Sequence, residues 1–201
     1  MPWNTLSPAS WRRRMPEGGA KKIRLFFALW PDEALRETLA EAAAPLRAAC
    51  DGRPVPKSNY HLTLAFLGGL EASRLDGIRE AGARVAAGFG TPGFELVLDT
   101  AGLWRRAGVA WLGARCPPEA AGRLASSLWQ ALEPLGFEVE SRPFRPHLTV
   151  LRGCRRCAAP GPVQPVAWPV RDFVLVRSET RPEGARYEIV DHWGLARESG
   201  G

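Results

Sequence analysis

The sequence predicts an α+β fold of two pseudo-symmetric lobes, each a sheet with a helix, around a central cleft. Three observations carry that expectation. The phrase "HLTL" at 61–64 returns as "HLTV" at 147–150. The repeat reaches beyond these words at one offset of 86: Pro31, Glu33 and Ala34 correspond to Pro117, Glu119 and Ala120, and Leu46 to Leu132. Strand-like and helix-like segments also follow the same order in both halves, as a duplicated strand, helix and strand would.

The elements follow in chain order. "IRLFFALW" (23–30) is a short apolar run closed by Pro31, the pattern of a buried strand. "PDEALRETLAEAAAPLRAA" reads as a helix, with Asp32 and Glu33 beside its positive end and Leu35, Leu39, Ala42 and Leu46 on one face. Pro45 is expected to end or bend it. "YHLTLAFL" is a strand closed by Gly68 and Gly69, and "EASRLDGIREAGARVAAG" (71–88) is a helix weakened by Gly77 and Gly82. In the second half "VAWLGA" (109–114) is a strand, "PPEAAGRLASSLWQALEPL" a helix, and "FRPHLTVL" a strand closed by Gly153. The β-branched and aromatic stretches 93–104, 170–180 and 185–195 complete the sheets.

Composition sets the outer limits. A 201-residue chain, 45% hydrophobic and 24% charged, suits one globular domain, here expected over 23–196. No run approaches the roughly eighteen apolar residues of a membrane span. Residues 1–22 carry +4 of the formal +6, so the body of the protein is only weakly basic. This stretch lacks an apolar core after its arginines, which argues against a secretory leader. It is expected as a disordered basic tail, with a short C-terminal tail at 197–201.

Four cysteines are present, Cys50, Cys116, Cys154 and Cys157. The CxxC spacing of Cys154 and Cys157 is unaccompanied by a second pair or a suitably spaced histidine, so neither a metal site nor any cofactor is expected. Reduced thiols in a cytoplasmic monomer are the plainer reading.

The repeated phrase carries the chemistry. Side chains alternate along a strand, so His61 shares a face with Thr63, and His147 with Thr149, while Leu62, Leu64, Leu148 and Val150 face a core. Across a pseudo-two-fold axis the two pairs would bring two imidazoles and two hydroxyls to one small volume. Hydroxyls can donate to non-bridging phosphate oxygens, and imidazoles can serve the attacking and leaving oxygens. Histidine titrates near neutrality, so one ring can act as base while the other acts as acid, without a metal. Two of the three histidines lie in this context; His192, alone in "VDHWGL", is expected to be structural.

"HLTL", "HLTV", "IRLFFALWPDEALRETL" and "RPFRPHLTVLR" resemble the two-histidine (2H) phosphoesterases, and within them the RNA 2′,3′-cyclic phosphodiesterases, historically 2′-5′ RNA ligases. The resemblance spans about 23–196. It implies hydrolysis of a 2′,3′-cyclic phosphate at an RNA end to a 2′-phosphate. By the same resemblance His61 is the proton donor to the departing 3′ oxygen and His147 the proton acceptor from water. Thr63 and Thr149 hold the phosphate, Phe66 stacks on a base and Arg152 contacts phosphate. The near-symmetric repeat does not itself distinguish acid from base. Ligation, turnover of small cyclic nucleotides and RNA binding without catalysis remain the alternatives.

Overall fold

A computed structural model describes residues 22–90, 93–158, 163–181 and 184–195. The expected tails lie outside these residues, apart from Lys22, which opens the first strand. In chain order the elements are β1 (Lys22–Leu29), α1 (Glu33–Ala42), α2 (Ala44–Ala49), β2 (Arg53–Pro54), β3 (Leu62–Glu71), α3 (Leu75–Gly88), β4 (Phe94–Leu98) and β5 (Thr100–Trp104). They continue with β6 (Val109–Gly113), α4 (Glu119–Leu132), β7 (His147–Arg152), β8 (Val166–Val170), β9 (Asp172–Arg181) and β10 (Gly184–Gly194).

The large sheet runs β10-β9-β1-β3-β7-β6-β5, with β2 added to β7. Its halves meet where β3 and β7 pair antiparallel at one register position, Leu62 opposite Leu148. The helices cover the apolar face. α4 lies on β3 and against α3, α3 also reaches β10, and α2 lies on β7. Each phrase-bearing strand is therefore backed by the helix of the other half. Leu62, Leu64, Leu148 and Val150 are buried in this core with Phe27, Leu29, Leu128 and Leu132.

Local chemistry accounts for the helix limits. The Asp32 carboxylate accepts the Leu35 N–H at 2.8 Å and caps α1. Pro45 at the start of α2 divides the expected helix at Ala43. Glu33 and Glu119 open α1 and α4, so the offset of 86 holds for the helices and for the repeated phrases. It does not hold for the preceding strands. Ala28 faces Thr63 whereas Trp111 faces Thr149, an offset of 83.

Several expected boundaries move. β3 runs on through Gly68 and Gly69, because Gly68 at φ +73° takes up a bulge rather than ending the strand. Stretch 93–104 breaks at Asp99, where β4 leaves to pair with β8 in a separate two-stranded sheet. Stretch 170–180 likewise contains the end of β8 and most of β9; β8 tolerates Pro169 because it has one neighbour only.

Cys50 and Cys157 form a disulfide, which corrects the expectation of reduced thiols at these two positions. Their segments run antiparallel, with the Asp51 N–H on the Arg156 carbonyl and the Ala158 N–H on the Ala49 carbonyl. The contact joins residues 107 positions apart, so CxxC spacing gave no hint of it. Cys154 is buried against Gly52, where a Cβ would lie 2.2 Å from its Sγ. Cys116 is free and exposed.

The helix α3 keeps Gly82 for a steric reason. A Cβ there would approach Trp193 to 2.8 Å and Phe27 to 3.0 Å. Gly82→Ala raises helix propensity by about 1 kcal/mol but overpacks two aromatic rings, which costs about 1–3 kcal/mol. The expected outcome is a lower melting temperature, read by thermal denaturation of both proteins.

Candidate active site

Both repeated phrases place their polar residues on the uncovered face of the sheet. The two histidines are held in the same way. His61 Nδ1 lies 2.7 Å from the Asn59 carbonyl, and His147 Nδ1 lies 2.9 Å from the Arg145 carbonyl. Each partner is two residues upstream of its histidine, at the repeat's offset. A carbonyl only accepts, so Nδ1 carries the proton in both rings and Nε2 is the free nitrogen of the neutral form. Asn59 is itself anchored, its amide donating to the Ala185 carbonyl at 2.8 Å.

Beyond the threonines both strands bulge at equivalent places. Phe27 pairs with Ala65 but Ala28 with Thr63, leaving Leu64 extra; Ala110 pairs with Leu151 but Trp111 with Thr149, leaving Val150 extra. Strict alternation would have put Phe66 in the core with Leu64. The bulge turns it to the face of Thr63, 46% exposed, with the Arg24 guanidinium 5.6 Å from its ring centre. The matching bulge brings exposed Arg152 to the face of Thr149. Phe66 and Arg152 thus occupy equivalent positions of the two lobes, five residues after each histidine. Thr63 and Thr149 are half-buried, and neither hydroxyl bonds to another described residue.

Aromatic residues that the sequence did not single out wall the site. Trp30 lies nearly parallel to His61 at 5.6 Å, Phe26 is 4.9 Å away and Tyr187 stands edge-on at 5.2 Å. His147 meets Trp104 edge-on at 4.4 Å, and Trp104 packs on Trp111. Trp111 lies over Gly102 and Gly113, where added Cβ atoms would come within 2.3 Å and 2.8 Å of the indole. The signal for Phe26 was its place in "RLFF". Arg24, Phe26 and Ala28 alternate with Leu25, Phe27 and Leu29 of the main core. Phe26 and Ala28 are buried too, in a second cluster with Val174 and Val176, and an unbroken apolar run conceals which set is which. His192 lies apart from this constellation and bonds the Asp172 carboxylate at 3.2 Å.

Burial holds the His61 imidazole down at about 4, with Arg152 and His147 adding repulsion against the bond to Asn59 that favours protonation. His147 is lowered for the same leading reason, with Arg152 contributing. Burial raises the Tyr187 phenol, which Arg152 and Arg24 partly offset. The site is thus a half-buried positive volume with two free Nε2 atoms and two available hydroxyls. An anion bound there would supply the missing countercharge and let one ring hold a proton.

Residues 29–111 match the family model described as LigT like Phosphoesterase. The chain is 36% identical over 175 residues to the RNA 2′,3′-cyclic phosphodiesterase of Escherichia coli (strain K12), covering 87% of this chain and 97% of that one. It is 35% identical over 190 residues to the RNA 2′,3′-cyclic phosphodiesterase of Thermus thermophilus, covering 89% and 93%. The crystal structure of E. coli LigT complexed with 3′-AMP superposes with a TM-score of 0.77 at 34% identity, over 88% of this chain and 100% of that one.

The two lowered imidazoles have a direct readout. In NMR titrations of the ligand-free protein the His61 ring is expected to titrate near 4 and His147 below the usual 6.5. Because folding lowers both, the stability they contribute is present above about 6.5 and is lost as pH falls through their folded values. Added inorganic phosphate should move both titrations upward; midpoints that stay near 6.5 throughout would contradict the burial argument.

Proposed function

The chain belongs to the LigT-like phosphoesterases, and from that premise we propose that it opens 2′,3′-cyclic phosphate ends of RNA to 2′-phosphomonoesters by two-histidine acid–base catalysis. The observation that carries this reading is the pair of equivalent imidazoles, each with Nδ1 tied to its own backbone and Nε2 free. Neutral His147 takes a proton from water at Nε2 as the water oxygen bonds to phosphorus. The bond from phosphorus to the 3′ oxygen breaks, and protonated His61 delivers its Nε2 proton to that oxygen. The products are a 2′-phosphate and a 3′-hydroxyl, with one proton taken up and one given.

Thr63 and Thr149 donate to the non-bridging oxygens, where charge builds in the transition state. Arg152 adds a guanidinium to the same anion. Phe66 offers a ring face for the terminal base. The acid needs a proton that burial disfavours, and the substrate's negative charge restores it. This scheme requires no metal. We place the enzyme in the cytoplasm as a monomer, where RNA ends of this kind would be met. No described helix is long and apolar enough to cross a membrane.

The test is a short RNA ending in 2′,3′-cyclic phosphate, incubated in EDTA with native protein, His61→Ala and His147→Ala. Native protein should yield the 2′-phosphate, and each variant should be slower by about 10²–10⁴-fold. A 3′-phosphate product would overturn the assigned leaving group, and loss of activity in EDTA would overturn the metal-free scheme. The pH profile of kcat should be bell-shaped. Its alkaline limb should lie at higher pH than that of kcat/KM, because the bound anion stabilises the imidazolium.

A further inference from the structure

Six arginines gather at one end of the second lobe. Arg53 and Arg152 face each other across β2 and β7, in a row that continues through Val109 to Trp104. The turn after Trp104 carries Arg105 and Arg106, and the loop leaving β7 carries Arg155 and Arg156; all six side chains are exposed. The fold holds these segments together. The Cys154 N–H donates to the Gly108 carbonyl at 3.0 Å, and a Cβ on Gly108 would lie 3.2 Å from the Cys154 oxygen. The Asp51 carboxylate accepts the Arg155 and Arg156 N–H groups at 2.8 and 2.9 Å, beside the Cys50–Cys157 disulfide.

Among the described residues, one carboxylate is paired with these guanidinium groups, Asp51 with Arg156 at 3.5 Å. Like charges placed directly opposite on neighbouring strands, as Arg53 and Arg152 are, destabilise a sheet. Residues 23–201 carry only +2 with these six arginines included, so the rest of the body is net negative. The cluster is therefore a local feature and not a share of general basicity. Its counterpart in the first lobe is different: the position equivalent to Arg152 is Phe66, with exposed Ile189 in the same row across Val176 and Phe26.

We infer that this end of the second lobe is a track for the backbone of single-stranded RNA, engaging phosphates upstream of the reacting 3′ end. The inference rests on the proposed reaction and adds the extent and direction of the substrate. Arg152 is common to site and track, so the strand passes from the histidines over Arg53 and the β5–β6 turn toward Arg155 and Arg156. The enzyme accordingly favours an oligonucleotide end over a cyclic mononucleotide, which reaches none of the outer arginines.

The test compares native protein with a triple variant, Arg105→Gln, Arg106→Gln and Arg155→Gln. One substrate is a single-stranded RNA of about ten nucleotides with a 2′,3′-cyclic phosphate, and the other is a 2′,3′-cyclic mononucleotide. Over about 50–200 mM salt, the variant should lose about tenfold in kcat/KM on the oligonucleotide, with a log–log salt slope shallower by about two. Its turnover of the mononucleotide should be unchanged. An unchanged oligonucleotide rate and slope would overturn the track, as would equal losses on both substrates. Fluorescence anisotropy of the same RNA ending in 3′-phosphate separates the two proposals. If native protein turns over neither substrate, salt-dependent binding weakened in the variant supports the track and only the reaction falls. Binding equal in both proteins overturns the track.

Discussion

The structure turns on the antiparallel meeting of β3 and β7 at Leu62 and Leu148. These residues adjoin His61 and His147, so a single cross-strand contact fixes the spacing of the two imidazoles. Both leucines are fully buried, and the side-chain period of two sends their histidine neighbours to the other face. The helices reinforce the contact by exchange, α4 backing β3 and α2 backing β7. Neither half can close its core alone, and separating the lobes would expose both leucines. A site built across such a seam is held by the core and not by loops.

Electrostatics follows from that rigidity. Each Nδ1 is committed to a backbone carbonyl two residues upstream, which orients the ring and fixes its tautomer without a carboxylate partner. Catalytic histidines often rest on an acidic side chain that raises their basicity. Here burial and Arg152 act the other way on both rings. Such a site disfavours a proton, and in the proposed reaction protonation of the acid would be coupled to binding of the phosphate.

Much of this was legible in the sequence, because the repeat expresses periodicities the backbone obeys. The offset of 86, a helix after the first strand of each half and the polar face of the phrases all follow from strand and helix geometry, although the helices begin two residues later than expected, at Glu33 and Glu119. What stayed hidden depends on pairing. A bulge inserts a residue relative to a neighbouring strand, so the flip of Phe66 toward the solvent face is defined by β1 and not by "LTLAF" itself. The offset of 83 between β1 and β6 is hidden for the same reason. The Cys50–Cys157 disulfide and the aromatic wall of Trp30, Tyr187 and Trp104 join segments far apart in the chain. Alternation along one strand carries no information on them.

A site duplicated without change would have a defect. With equal halves, a cyclic phosphate could bind in two orientations related by the pseudo-two-fold axis, and the two histidines would exchange roles between them. Suppressing one orientation tenfold requires about 1.4 kcal/mol. The equivalent positions after the bulges differ in the way that supplies it: an exposed phenylalanine in one lobe, an arginine in the other. A base stacked on an aromatic ring is stabilised by about 1–3 kcal/mol, and a guanidinium favours the side bearing further phosphates. In the proposed reaction Phe66 and Arg152 would each disfavour the reversed substrate, one by a base without a platform and the other by a backbone without a countercharge. In the proposed reaction, the division of labour between chemically similar histidines is therefore set five residues downstream of each. The near-identity of the phrases leaves acid and base undistinguished, and in the proposed reaction the residues beyond the bulges would distinguish them.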